Sequence, residues 1–158
     1  MGAQDTKYAD EVAERREFRK RHLNEGLSFQ DLREFPVVER KKRGNRGAHF
    51  ALAGNRTIDA HISELAPGGH NNEHRHLNEA LIYILKGRGH SLIETVDGEK
   101  LRIDWSEGDL LSPPLNAWHV HYNDDPDQPA RYLAITNVPL MEALDAFTKE
   151  SRLPSNGE

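Results

Sequence analysis

The segment GGHNNEHRHLNEALIYILKGRG, residues 68–89, sets three histidines and two glutamates ahead of an apolar run that two glycines close. On an extended chain, side chains alternate faces, so His74 and His76 point the same way and can grip one cation from a single strand. A second pair, His119 and His121, lies in GDLLSPPLNAWHVHYN (108–123), on a strand entered through a Pro-Pro-Leu-Asn turn. The two clusters hold five of the nine histidines. A fold that brings their strands together makes His74, His76 and His119 converge on one interior point. Imidazole nitrogen is a ligand for Zn, Fe, Cu and Ni alike, so the trio reads as a metal site without naming its metal.

The elements that must position these residues are short. From Pro36 to about residue 138 the chain runs as strand-like pieces: HFALAG, TIDAHISEL, ALIYILKG, HSLIETV, KLRIDW, DLLSPP, AWHVHYN and RYLAITNV. Gly, Pro, Asn and Asp separate them, and Asp97-Gly98 is a hairpin signal. Eight such strands predict an antiparallel barrel or jelly roll. Residues 5–25, free of Pro and Gly, predict a helix ending near Gly26. SFQDLREF predicts a second helical piece before Pro36, and PLMEALDAFTKES (139–151) a third at the end. The organisation expected is a helical N-terminal extension over 1–35, a barrel over 36–138, and a C-terminal helix and tail over 139–158.

Composition narrows the chemistry. With 158 residues, 36% of them hydrophobic, the chain suits one compact domain with a core. A net charge of −5 argues against nucleic acid as a partner. The basic run ERKKRGNRG (39–47) reads as a solvated loop. The absence of cysteine excludes thiolate nucleophiles, disulfides and sulfur-ligated metals. No signal peptide or membrane span is visible, which predicts a cytoplasmic protein.

The two histidine segments resemble the paired motifs of the cupins, small all-β jelly-roll barrels. Gly68, His74, His76 and Gly87 fit the first motif; Gly108, Pro114, His119 and Asn123 fit the second. Asn116 stands where that second pattern has glycine, as suits a residue at positive φ. The resemblance implies a cupin jelly-roll β-barrel flanked here by N-terminal and C-terminal helices. The acidic ligand of the motif falls at position 80, where this chain has Ala80. Glu79 is one residue out of phase, and only a bulge would turn it inward. The expectation is three histidine ligands and no carboxylate.

That pattern, HRH followed by Ala-Leu and later WHVHYN, is similar to gentisate 1,2-dioxygenases and relatives acting on salicylate or hydroxynaphthoate. Those enzymes hold Fe(II) on three histidines and open aromatic rings with O2, usually in two-domain chains. The resemblance implies metal ligation by His74, His76 and His119, with Fe(2+) first and Mn, Ni or Zn as alternatives. It also implies a small hydroxyaromatic acid and O2 as substrates. Glu79 and His121 are the candidate catalytic side chains, Glu79 as a base or as an acceptor for a ligand imidazole, His121 as a proton relay. Arg75, Arg88 and Arg102 are candidates for a substrate carboxylate. Trp118 and Tyr83, out of phase with the ligands, are expected in the core. A metal-dependent isomerase or lyase and a non-catalytic metal- or ligand-binding cupin are the competing readings. The polar first helix suggests packing on a neighbour, hence a homodimer.

Overall fold

The computed structural model describes residues 3–152; the chain's first two residues and the last part of the expected tail lie outside them. Two sheets face each other. The larger has the strand order β1 (Leu23–Gly26), β3 (Asn45–Leu52), β4 (Asp59–Leu65), β11 (Ala130–Thr136), β6 (Ala80–Lys86) and β9 (Leu110–Leu111), with β2 (Val38–Arg40) also on β3. The smaller runs β12 (Lys149–Ser151), β5 (His74–His76), β10 (Trp118–Asn123), β7 (Arg88–Glu94) and β8 (Lys100–Ser106). The sheets form a jelly roll that is open rather than closed into a barrel. All eight strand-like pieces of the sequence are strands. Strands on both sides of residues 36–138 also join the sheets, namely β1 and β12.

The alternation of the strands explains the core. Leu65, Ile82, Ile84, Leu111, Tyr132 and Ala134 point between the sheets and meet Trp105 of β8. The Asp97-Gly98 signal is the β7–β8 hairpin, with Gly98 at φ 82° and its N–H on Thr95 O at 2.9 Å.

Helix α1 (Ala3–His22) ends four residues earlier than expected, with Arg19, Lys20, Arg21 and His22 on its last turn, where cations suit the carbonyl end of the dipole. Leu23–Gly26 extends instead, because the edge of β3 offers a parallel ladder. The helix lies on its own chain: Arg15 donates to Asp59 at 3.0 Å, and the Phe18 ring meets His49.

Two other helical expectations fail for physical reasons. Residues 28–35 form a turn, with Asp31 at φ 50°, and the carbonyls of Leu32 and Phe35 accept from the buried Arg131 guanidinium. Phe29 and Phe35 pack on Phe50 at 4.8 and 4.9 Å between ring centroids. Tertiary contacts thus take the groups a helix would have used. At the C-terminus, α2 covers only Val138–Ala143; the chain then turns through Asp145 (φ 54°) and adds Lys149–Ser151 to the free edge of β5.

The basic run is not a solvated loop. It forms β2, a 3-10 turn at Lys41–Arg43 and the start of β3, and Arg40 is buried on Asn45 Oδ1 and Ser63 Oγ. Trp118 and Tyr83 are out of phase with the ligands but lie outside the core: Arg75 and Arg152 cover Trp118, and Tyr83 is exposed on the outer sheet face. No helix among the described residues is long and apolar enough to cross a membrane.

Close approach fixes one glycine. A Cβ on Gly89 of β7 would sit 1.9 Å from Tyr122 O and 2.6 Å from the Trp105 ring. Backbone and a locked indole cannot yield, so Gly89→Ala should cost about 3 kcal/mol or more in chemical denaturation. A change within experimental error would contradict this packing.

Candidate metal centre

The ladder β12–β5–β10 builds the site. His74 lies directly opposite His119 on β10, and opposed residues share a face. His76, two residues on, shares that face as well. The ring centroids are 4.3 Å (His74–His119), 4.9 Å (His76–His119) and 5.6 Å (His74–His76) apart. One ring nitrogen from each lies within 4.8 Å of the others, the requirement for a shared cation.

Main-chain oxygens set which nitrogen is free. Nδ1 of His74 bonds Asn72 O at 2.8 Å, that of His76 bonds Asn78 O at 2.9 Å, and that of His119 bonds Ala117 O at 2.9 Å. A carbonyl only accepts, so each Nδ1 carries the proton and each Nε2 keeps its lone pair. Three neutral imidazoles oriented this way fit a divalent transition metal, and such a donated N–H raises ligand basicity.

The second motif braces the trio. Asn116 does take positive φ (58°), and its N–H donates to His76 O at 2.9 Å. Asn123 ties the loop ends together through Ala66 O and Gln128 O at 3.0 and 2.7 Å. The buried Asn71 accepts from the His121 N–H at 2.8 Å. The role of Asn71 was not legible in the sequence, although the doubled Asn71-Asn72 beside a histidine pair was the available signal.

The trio lines a cavity of about 50 Å³. One water needs roughly 10–15 Å³ of such space, so the cavity has room for a few waters. Ala80, buried, lines it at the in-phase position. Glu79 does not enter: it is exposed, its carboxylate accepts Asn137 Nδ2 at 2.9 Å, and its N–H donates to Asn137 Oδ1. No bulge turns it inward, so the expected catalytic carboxylate is absent from this wall. Arg75, Arg88 and Arg102 also face away, paired with Glu150, Asp125 and Asp104. His90 stacks on Tyr122 and pairs with Asp124 outside the cavity, and His70 bonds its neighbour's carbonyl, Asn71 O.

His121 lines the cavity 5.5 Å from His119. Its Nδ1 is 2.7 Å from Ser91 Oγ, which also accepts Trp105 Nε1–H at 3.0 Å. Ser91 is fully buried, so its own proton has His121 Nδ1 as acceptor. His121 then carries its proton on Nε2, opposite to the trio. His61 joins the wall with its Nδ1 buried and unpartnered. Sequence reasoning also missed Arg43 and Lys149, which line the same cavity. Burial and the nearby Arg43 push the Lys149 amine well below its ordinary range, against the pull of Glu11.

With this geometry in place, the comparisons carry weight. A family model described as "Cupin domain" matches residues 61–136. A cupin-2 domain structure from Rhodospirillum rubrum superposes at TM-score 0.58 and 21% identity, covering 82% of each chain. The fold is therefore the cupin fold. Gentisate 1,2-dioxygenase from Ralstonia sp. is 37% identical over 82 residues, which is 52% of this chain and 22% of that protein. A variant salicylate 1,2-dioxygenase of Pseudaminobacter salicylatoxidans, solved with gentisate, superposes at TM-score 0.56 and 29% identity, covering 80% of this chain and 36% of that one. The chain thus has the cupin fold and resembles enzymes of the gentisate 1,2-dioxygenase type, and it spans well under half of either dioxygenase.

Burial holds the imidazoles neutral. It brings His76 down to about 3, with His119 and Lys149 adding repulsion, and brings His119 down to about 4. It also lowers His49, His61, His74 and His121 well below the usual range. Unfolded histidines titrate near about 6.5, so between there and about 4 the unfolded chain binds more protons and stability must fall with pH. The contribution is complete above about pH 6.5 and lost progressively below it. Metal-free protein should show a denaturation midpoint that is steady near neutrality and drops steeply from about pH 6 to 4. A midpoint independent of pH across that range would contradict the burial of these rings.

Proposed function

We propose that this chain is a metal-dependent cupin enzyme, a non-haem Fe(II) dioxygenase of the gentisate 1,2-dioxygenase type acting on a small hydroxyaromatic acid. One observation carries the reading: three neutral Nε2 donors converge without a carboxylate, in the segments that resemble those dioxygenases. His74, His76 and His119 would hold the ion, which when bound supplies open positions for a chelating acid and O2.

This chain's own residues do the rest. The carbonyls of Asn72, Asn78 and Ala117 hold the imidazoles in the ligating tautomer. Ile82, Ala134 and Val138 supply an apolar wall that limits water. His121, its proton fixed on Nε2 by the Ser91–Trp105 relay, is the donor for a developing negative charge on the substrate. Glu79 as base would have fitted the isomerase or lyase reading, and a carboxylate held on Asn137 outside the cavity lends that reading no support.

Iron-loaded protein should consume O2 when given gentisate or salicylate. His76→Ala should lower metal affinity by at least the roughly 10–100-fold that losing a supporting contact costs, and abolish uptake of O2. Full iron loading without O2 consumption across hydroxybenzoates would reduce the protein to a binding role; unchanged metal content in the variant would overturn the centre itself.

The homodimer is also retained as a proposal, on a different surface from the first helix. Cross-strand pairs Ile135–Leu81 and Tyr83–Leu110 expose an apolar stripe on the outer sheet face, of the kind that marks an association site. Sedimentation should give a dimer that Leu81→Glu converts to monomer; a monomeric wild type would refute it.

A further inference from the structure

We infer that Lys149 and Arg43 form an anion subsite in the wall of the histidine cavity, seating the carboxylate of an acid whose second oxygen donor addresses the trio. The subsite stands on its own geometry, and only the assignment of that second donor rests on the proposed metal centre.

Register places Lys149. Strand β12 pairs antiparallel with β5, with Lys149 opposite His76 and Ser151 opposite His74. Directly opposed residues project to one face with Cβ atoms roughly 4.5–5.5 Å apart, so the lysine side chain shares the face of the trio. It is 3% exposed and lines the cavity. Arg43 reaches the same cavity from the 3-10 turn, which is tied to the histidine segment by Asn72 N–H on Arg43 O at 3.2 Å.

What distinguishes these two cations is the lack of a partner. The buried arginines elsewhere are satisfied: Arg15 on Asp59, Arg40 on Asn45 and Ser63, Arg131 on Glu64. Among the described residues, neither the Lys149 ammonium nor the Arg43 guanidinium has a hydrogen-bond acceptor or ion pair, and no Asp or Glu lines the cavity. Glu11, on α1, instead accepts Ser151 Oγ–H at 2.9 Å. Lys149 is buried and Arg43 half-buried, and charges so withdrawn from water are unfavourable unless something offsets them. An anionic ligand brings the counter-charge that the wall does not supply. A planar guanidinium fork beside an ammonium suits a carboxylate.

The test is calorimetric titration of the protein, as purified and after chelation, with salicylate, benzoate, salicylamide and inorganic phosphate. Salicylate and benzoate should bind, and neutral salicylamide should bind at least about tenfold more weakly. Lys149→Met should weaken salicylate about tenfold or more, the scale of losing one member of a buried charge pair. Arg43→Gln should act in the same direction. The methionine variant sheds an unpartnered buried cation, so its thermal midpoint should equal or exceed that of the wild type, which separates lost binding from lost folding. Equal binding of salicylate by wild type and K149M, equal binding of acid and amide, or no binding would overturn the subsite. Tighter binding of phosphate than of either acid would overturn its carboxylate assignment. His76→Ala separates the two readings: metal-free salicylate binding that survives there supports the subsite, whatever becomes of the metal centre.

Discussion

The site depends on the two-residue period of a β-strand meeting a fixed acceptor at each imidazole. His74 and His76 share a face only because β5 is extended, and His119 joins them only because β10 pairs with β5 at His74. That alone would bring three rings together in no particular orientation. The carbonyls of residues two positions away turn each ring so that Nδ1 donates outward and Nε2 faces its fellows. Since the acceptors are main-chain oxygens, the backbone path that aligns the side chains also selects their tautomers.

A consequence is that the supports bring no negative charge. Many metal-bound histidines donate to a carboxylate; here all three donate to neutral carbonyls. Ala80 occupies the position where a carboxylate would have entered, and Glu79 is bound to Asn137 on the far side. Histidines apart, the charged side chains among the described residues of the cavity wall are accordingly all cations: Arg15, Arg43 and Lys149. Only Arg15 has its own carboxylate, the buried Asp59, which also receives the Thr136 hydroxyl at 2.6 Å. The positive character of the wall is a property of the fold before any ion binds.

How much of this was readable in the sequence follows from the range of the interactions involved. The trio was legible because spacing and strand phase are local properties; the missing carboxylate at position 80 and the positive φ of Asn116 were implied by the resemblance to the cupin motifs. The eight central strands were legible for the same reason. The turn at 28–35 was not, because its carbonyls are claimed by Arg131, nearly a hundred positions away in the chain. Lys149 was hidden by a helix-like pattern that a free strand edge overrode. The choice of arginines failed similarly: Arg75 lies between two ligands in sequence but on the opposite face of β5, whereas Arg43 is remote in sequence and adjacent in space.

The first helix shows why a sparse apolar pattern need not mean an independent element. Its hold on the body of the protein is polar: Arg15 and Arg19 reach Asp59, Arg16 reaches Glu142, and Glu11 receives Ser151. Arg15 and Asp59 are both buried, so separating them would strand two desolvated charges, and that penalty fixes the helix more firmly than an exposed pair could. Asp59 also anchors Thr136 in the cavity wall, and Ser151 lies on the strand that carries Lys149. The helix therefore holds the same two elements that shape the cavity. The register of β12 against β5, on which the position of Lys149 depends, is held from outside by Glu11 as well as by its own ladder.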